Sequence, residues 1–292
     1  MKHCVRLFAL LFSGLLVSSV AQAQFFTGPE ASACGGSGRA GIDLGEAAFL
    51  NPAAVAFIQR YNVSMMFGIS DHPVNGNTNE LAGSIVDGTS DAMINGGLTY
   101  VRRRTETPFG ISDTQQDWQG SLAGFLHRKL AIGLAGHRLS NEMYTPLGGR
   151  EYVQWNGHFG ALYVPVPSVG VGFVAYDFAP AEDLPVGVRV VPTLALGVNY
   201  IYEKFFRARL DFVRPDTDNP GRETNVMAGL ETFLMDQFAL RTGGYWRETH
   251  DQTYFTAGMA YAGPRLSIDY SFQKDVRVAG NSRHLIDLWL PF

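Results

Sequence analysis

From Tyr61 onward, apolar residues recur at every second position. Tyr61, Val63, Met65, Phe67 and Ile69 share one face, while Asn62, Ser64, Gly68 and Ser70 share the other and only Met66 breaks the pattern. The same alternation sets Phe206, Ala208, Leu210 and Phe212 against Arg207, Arg209 and Asp211. It returns where Leu266, Ile268, Tyr270 and Phe272 oppose Ser267, Asp269 and Ser271. A period of two belongs to strands, so each segment presents one apolar and one polar side. The chain is 46% hydrophobic, yet after its N-terminus no apolar run is long. A transmembrane β-barrel spreads that much apolar surface in this way. The sequence therefore predicts an all-β fold, an antiparallel transmembrane barrel.

The alternation marks about fourteen strands, at 61–70, 78–87, 91–104, 117–127, 130–139, 151–164, 169–178, 191–202, 205–214, 222–234, 237–248, 252–262, 265–274 and 283–292. Most are close to the roughly 9–11 residues that cross a bilayer at a tilt. Short turns alternate with longer links at 71–77, 105–116, 140–150, 179–190, 215–221 and 275–282. Outer-membrane barrels have short periplasmic turns and longer outer loops, so both termini are expected in the periplasm. A β-sandwich also alternates, but its loops need not follow this rhythm. The last strand runs Ile286, Leu288, Leu290, Phe292 to a terminal aromatic. That ending resembles the strand signal read by the barrel-assembly machinery, with Phe292 as its key residue.

The first 23 residues read as a secretory signal peptide. Lys2 and Arg6 precede an apolar run from Leu7 to Val20, and Ala21-Gln22-Ala23 supplies small residues for cleavage before Gln24. The run is shorter than the ~20 residues of a membrane-spanning helix. Cys4 leaves with the signal, and Cys34 alone cannot form an internal disulfide. Loss of Lys2 and Arg6 leaves 21 basic against 27 acidic residues, a net charge of −6. Nucleic-acid binding usually needs a basic patch, so it is not expected.

Residues 24–60 do not alternate. Gly36-Ser37-Gly38-Arg39-Ala40 is followed by the Ala-rich stretch around Glu46-Ala47-Ala48 and by Asn51-Pro52-Ala53. Pro52 biases Asn51 away from helix. Phe25, Phe26, Phe49, Leu50, Val55, Phe57 and Ile58 make the segment poorly suited to water. The pattern across residues 36–56 resembles the start of the FadL-like long-chain fatty-acid transporters and the related PorV-like outer-membrane proteins. The resemblance implies a plug, 24–60, inside a fourteen-stranded barrel, 61–292, with Gly38, Arg39, Ala40, Asn51, Pro52 and Ala53 as its motif. The chain is shorter than a typical transporter of that family, and its outer loops are brief. Physically, Asn51-Pro52-Ala53 is expected inside the barrel near the periplasmic end. Arg39 should pair with Asp211, Glu231 or Asp269.

Strand parity directs many charged residues inward, where buried charges need partners. Arg207, Arg209 and Arg241 either brace the wall or meet a ligand carboxylate, for which a bidentate Arg is suited. Met66, Met93, Met227, Phe233, Leu285 and Trp289 form an inward apolar set that either holds a hydrophobic ligand or receives the plug. Paired Gly96 and Gly97 in the third strand suggest a kink. In the family such a kink opens the wall sideways. Ser282-Arg283-His284 is the only tight Ser/His pairing, no His/Cys/Asp cluster has metal-ligand spacing, and no cofactor or catalytic role is expected. The reading is a barrel in contact with outer-membrane lipid that binds or passes small hydrophobic molecules. The alternatives are an assembly, anchoring or secretion partner, and a simple porin.

Overall fold

A computed structural model describes residues 26–291, apart from 74, 89–92, 109, 146–147, 180–183, 186–187, 204, 216–223, 236 and 248–251. The expected signal peptide, residues 1–23, and Phe292 lie outside the described residues. Fourteen strands run in order: β1 (Tyr61–His72), β2 (Gly76–Asp87), β3 (Ile94–Glu106), β4 (Ser112–His127), β5 (Leu130–Thr145), β6 (Gly148–Val166), β7 (Val169–Tyr176), β8 (Thr193–Tyr202), β9 (Phe206–Pro215), β10 (Asn225–Leu234), β11 (Phe238–Arg247), β12 (Gln252–Ala262), β13 (Ser267–Asp275) and β14 (Ser282–Pro291). Each pairs antiparallel with its sequence neighbour, and β14 closes on β1 from Pro291↔Asn62 to Ser282↔Asp71. Closure removes the free edges that a sandwich would leave.

The period of two decides which way each side chain points. Met65, Leu122, Leu134, Leu196 and Met259 face outward and are exposed, as are many other large apolar residues. A continuous apolar belt of this kind faces lipid. Tyr163, Tyr200, Phe238 and Tyr261 stand on the outer face near the short-turn end, where an aromatic girdle meets the membrane interface. No helix among the described residues is long and apolar enough to cross a membrane.

The strand boundaries correct one expectation. The links expected at 105–116 and 140–150 shrink to 107–111 and 146–147, because β4, β5 and β6 are 16, 16 and 19 residues long. Pairing continues to Thr145↔Gly148 through Ser140, Asn141, Glu142, Arg150 and Glu151. Past the lipid the outer face is polar, so the apolar period ends while the hydrogen-bond ladder does not. The loop rhythm is therefore less regular than the sequence suggests, although the strand count holds.

Residues 26–58 lie within the barrel as a chain of short turns: α1 (Pro29–Ala33), α2 (Ala47–Leu50) and a 3₁₀ segment, Pro52–Phe57. Pro29 and Pro52 sit at first helical positions, where a missing N–H costs nothing. Asn51 is extended, as a residue before proline should be, and its Oδ1 accepts from the Ala53 N–H at 3.0 Å.

Candidate functional site

The wall admits the lumenal segment through inward glycines. A Cβ on Gly160 would lie 2.2 Å from Asn51 Oδ1, and one on Gly133 would lie 2.4 Å from the Pro52 carbonyl carbon. At Gly172 it would come within 2.2 Å of the Arg39 carbonyl oxygen, and at Gly243 within 2.6 Å of Gly35 N. At Gly133, Gly172 and Gly243 backbone thus meets wall with no side chain between them. Asn51 Nδ2 donates to the Arg39 carbonyl at 2.8 Å and to the Ala161 carbonyl at 3.3 Å, tying both halves of the segment to β6. Asn51-Pro52-Ala53 therefore sits inside the barrel, toward the end that carries the short turns.

Charges hold the opposite side. Arg39 Nη1 donates to Asp211 Oδ2 at 3.0 Å, and the same oxygen accepts from the backbone N–H groups of Gly38 and Arg39. Of the three acids expected for Arg39, the structure selects Asp211. Arg209 grips Asp43 through both terminal nitrogens, at 2.7 and 3.1 Å, and reaches Glu30 at 2.5 Å. Arg207 contacts Glu30 and Asp43 at 3.1 and 3.0 Å. Arg241 donates to Glu231 at 2.6 Å and to Asp269, whose other oxygen accepts the Trp289 indole N–H at 3.1 Å. Three buried or nearly buried guanidiniums thus face four carboxylates of the same chain. Of the two expectations for Arg207, Arg209 and Arg241, bracing the wall or meeting a ligand carboxylate, the pairs seen here are with carboxylates of the same chain.

The inward apolar residues divide. Met66 is buried with Phe26 and Phe49 of the segment. Met227 accepts a contact from Arg39 Nη1 at 3.4 Å. Met93 is 92% exposed and belongs to no lumen, because β3 begins one residue later and parity has no meaning outside a strand. Phe233 and Trp289 instead line a cavity of about 200 Å³ with Ile42, Leu44, Ala239 and Ala260. Charged residues line it as well, Glu30, Asp43, Glu46, Glu231, Asp269 and Asp287 with Arg207 and Arg241, and it lies at the short-turn end of β10–β14. An apolar protein cavity of about 150 Å³ is enough to hold benzene.

At Gly96 and Gly97 the β3–β4 ladder runs on without a register shift, and the β2–β3 ladder ends at Asp87↔Gly96. Gly97 points inward, and a Cβ on it would stand 2.7 Å from Ser121 Oγ and 3.5 Å from the Ala48 Cβ. Its smallness serves close approach, a use that sequence cannot tell from a bend.

One group of residues escaped the sequence reading. His137, His158 and Asp177 come together beside a second, smaller cavity of about 30 Å³. They stand on β5, on β6 and just past β7, so no local motif announces them.

No family model matches the sequence, and no curated protein matches it. Solved structures do match. The CymD monoaromatic hydrocarbon channel aligns over 91% of this chain and 97% of its own, at 14% identity and a TM-score of 0.73. The Ralstonia pickettii toluene transporter TbuX aligns over 92% and 99%, at 14% identity and 0.72. A Pseudomonas aeruginosa FadL homologue aligns over 91% and 98%, at 15% identity and 0.64. The chain has the FadL-like barrel fold. The resemblance carried by residues 36–56 thus extends, at the level of fold, over nearly the whole chain.

Proposed function

We propose that this FadL-like barrel resides in the outer membrane and passes small hydrophobic molecules about the size of one aromatic ring. The observation that carries the proposal is the cavity of Ile42, Leu44, Phe233 and Trp289, set between the lumenal segment and the wall. Its size suits a single ring, for which Phe233 and Trp289 supply the apolar contacts. The neighbouring folds named for toluene and monoaromatic hydrocarbons support the same class of cargo. A simple porin has a water-filled lumen; here the segment contacts inward residues on both sides of the barrel, which favours a plugged conduit.

The test is equilibrium binding and vesicle uptake of radiolabelled toluene by purified protein. Phe233→Ala and Trp289→Ala should each weaken binding by about tenfold, equivalent to 1.4 kcal/mol. Unchanged affinity in both variants would remove this cavity as the site. No uptake by the intact chain above protein-free vesicles would remove the function.

A further inference from the structure

We propose that His137, His158 and Asp177 form a binding site for a divalent transition-metal ion of the zinc type, separate from the apolar cavity. Their ligating atoms lie within 4.8 Å of one another, and this is the one group of three or more such side chains so placed among the described residues. All three residues are buried. Two imidazoles and a carboxylate make a donor set that suits zinc, with a fourth position left to water.

The hydrogen bonds define the roles. His137 Nε2 faces Asp177 Oδ1 at 2.8 Å, while Nδ1 faces Asp117 Oδ1 at 2.9 Å. Asp117 can therefore keep accepting the Nδ1–H while Nε2 turns to a metal, the carboxylate–histidine–metal arrangement that orients a ligand ring. His158 Nδ1 accepts the Asp177 backbone N–H at 3.1 Å. That nitrogen is thus unprotonated, and its lone pair points toward Asp177. The two imidazole rings stand 4.5 Å apart. Metal binding releases the proton of His137 Nε2 and replaces the His158 hydrogen bond with a coordinate bond.

The small cavity supplies the remaining position. Its walls include Asp117, His137, His158 and Asp177, together with Phe26, Phe49 and Leu139. A volume of about 30 Å³ holds one water, since about 10–15 Å³ of probe-occupied space suffices.

Purified wild-type protein titrated with Co²⁺ should develop the visible absorption of a four- or five-coordinate site at one equivalent, and Zn²⁺ should abolish it. His158→Gln and Asp177→Asn should lose the spectrum while keeping the heat-modifiable migration of a folded barrel. Asp117→Asn should keep the spectrum but weaken affinity by about 10–100-fold. His127→Gln, at an exposed turn, should bind as wild type. X-ray absorption of the Zn²⁺-loaded wild-type chain, which depends on no variant, should show two imidazole nitrogens. Absence of the Co²⁺ spectrum, its survival in His158→Gln, its loss in His127→Gln, or an all-oxygen shell would each overturn the proposal.

Discussion

The lumenal segment meets the two halves of the wall through different physics. Along β5–β7 it lies against Gly133, Gly160, Gly170 and Gly172, and along β10 and β11 a similar close approach at Gly229 and Gly243 is joined by charge. Among the described residues its ion pairs run to β9 and β11 alone, through Arg207, Arg209, Asp211 and Arg241. Added volume should disrupt either half, whereas removing charge should disrupt only the second. A tightly packed contact resists one-atom intrusion because nothing flexible can move aside. A buried ion pair fails when one member leaves, because the other remains desolvated.

Deleting residues 24–56 removes both kinds of contact and should have the largest effect. Planar-bilayer recordings should change from little current in the intact protein to a large, steady conductance. Large conductance in the intact protein would show that neither half seals the lumen.

Gly160→Leu tests the uncharged half alone. The new side chain would overlap Asn51 and Pro52, so the segment should leave the wall. Cys34, packed against Gly229 and Gly243 of β10 and β11, reports whether the displacement reaches the far wall. It is buried, and burial pushes its thiol up to about 12, so the reactive thiolate is scarce at neutral pH. Maleimide should leave the wild type unlabelled and label Gly160→Leu. Equal labelling of the two would show that this half is looser than its packing implies.

Arg209→Ala tests the charged half. It leaves Asp43 and Glu30 with Arg207 as their remaining close partner, and breaking a buried pair of this kind costs up to about 3–5 kcal/mol. The temperature of the heat-modifiable gel transition should fall, and Cys34 labelling should rise less than in Gly160→Leu. Arg39→Gln should cost less, about 1–3 kcal/mol, because Asp211 still accepts from the Gly38 and Arg39 backbone N–H groups. If Arg39→Gln equals Arg209→Ala in denaturant titration, the two pairs act as one network.

Much of the barrel was legible beforehand, and the particular residues show why. Met66, Arg207, Arg209, Arg241, Phe233 and Trp289 were placed inward by alternation, and each points inward. Met93 failed because the strand starts one residue past it. The hairpin around 146–147 was read as a loop because its outer face is polar, which hides pairing but does not prevent it. Glu30 and Asp43 were not recognised as partners of the arginines, since an irregular segment has no period from which to read direction.

The sequence alone determined the number of strands and the face taken by residues within them, though not every strand end, because pleating ties direction to position within a few residues. Only the tertiary structure decided which inward residues meet. Arg209 and Asp43 are 166 positions apart, and His137 and Asp177 are 40 apart. Period two fixes which way a side chain points but carries no information about what stands opposite it across a closed cylinder. That depends on the register of every strand pair and on the path of a segment without periodicity, held where glycines leave room and charges find partners.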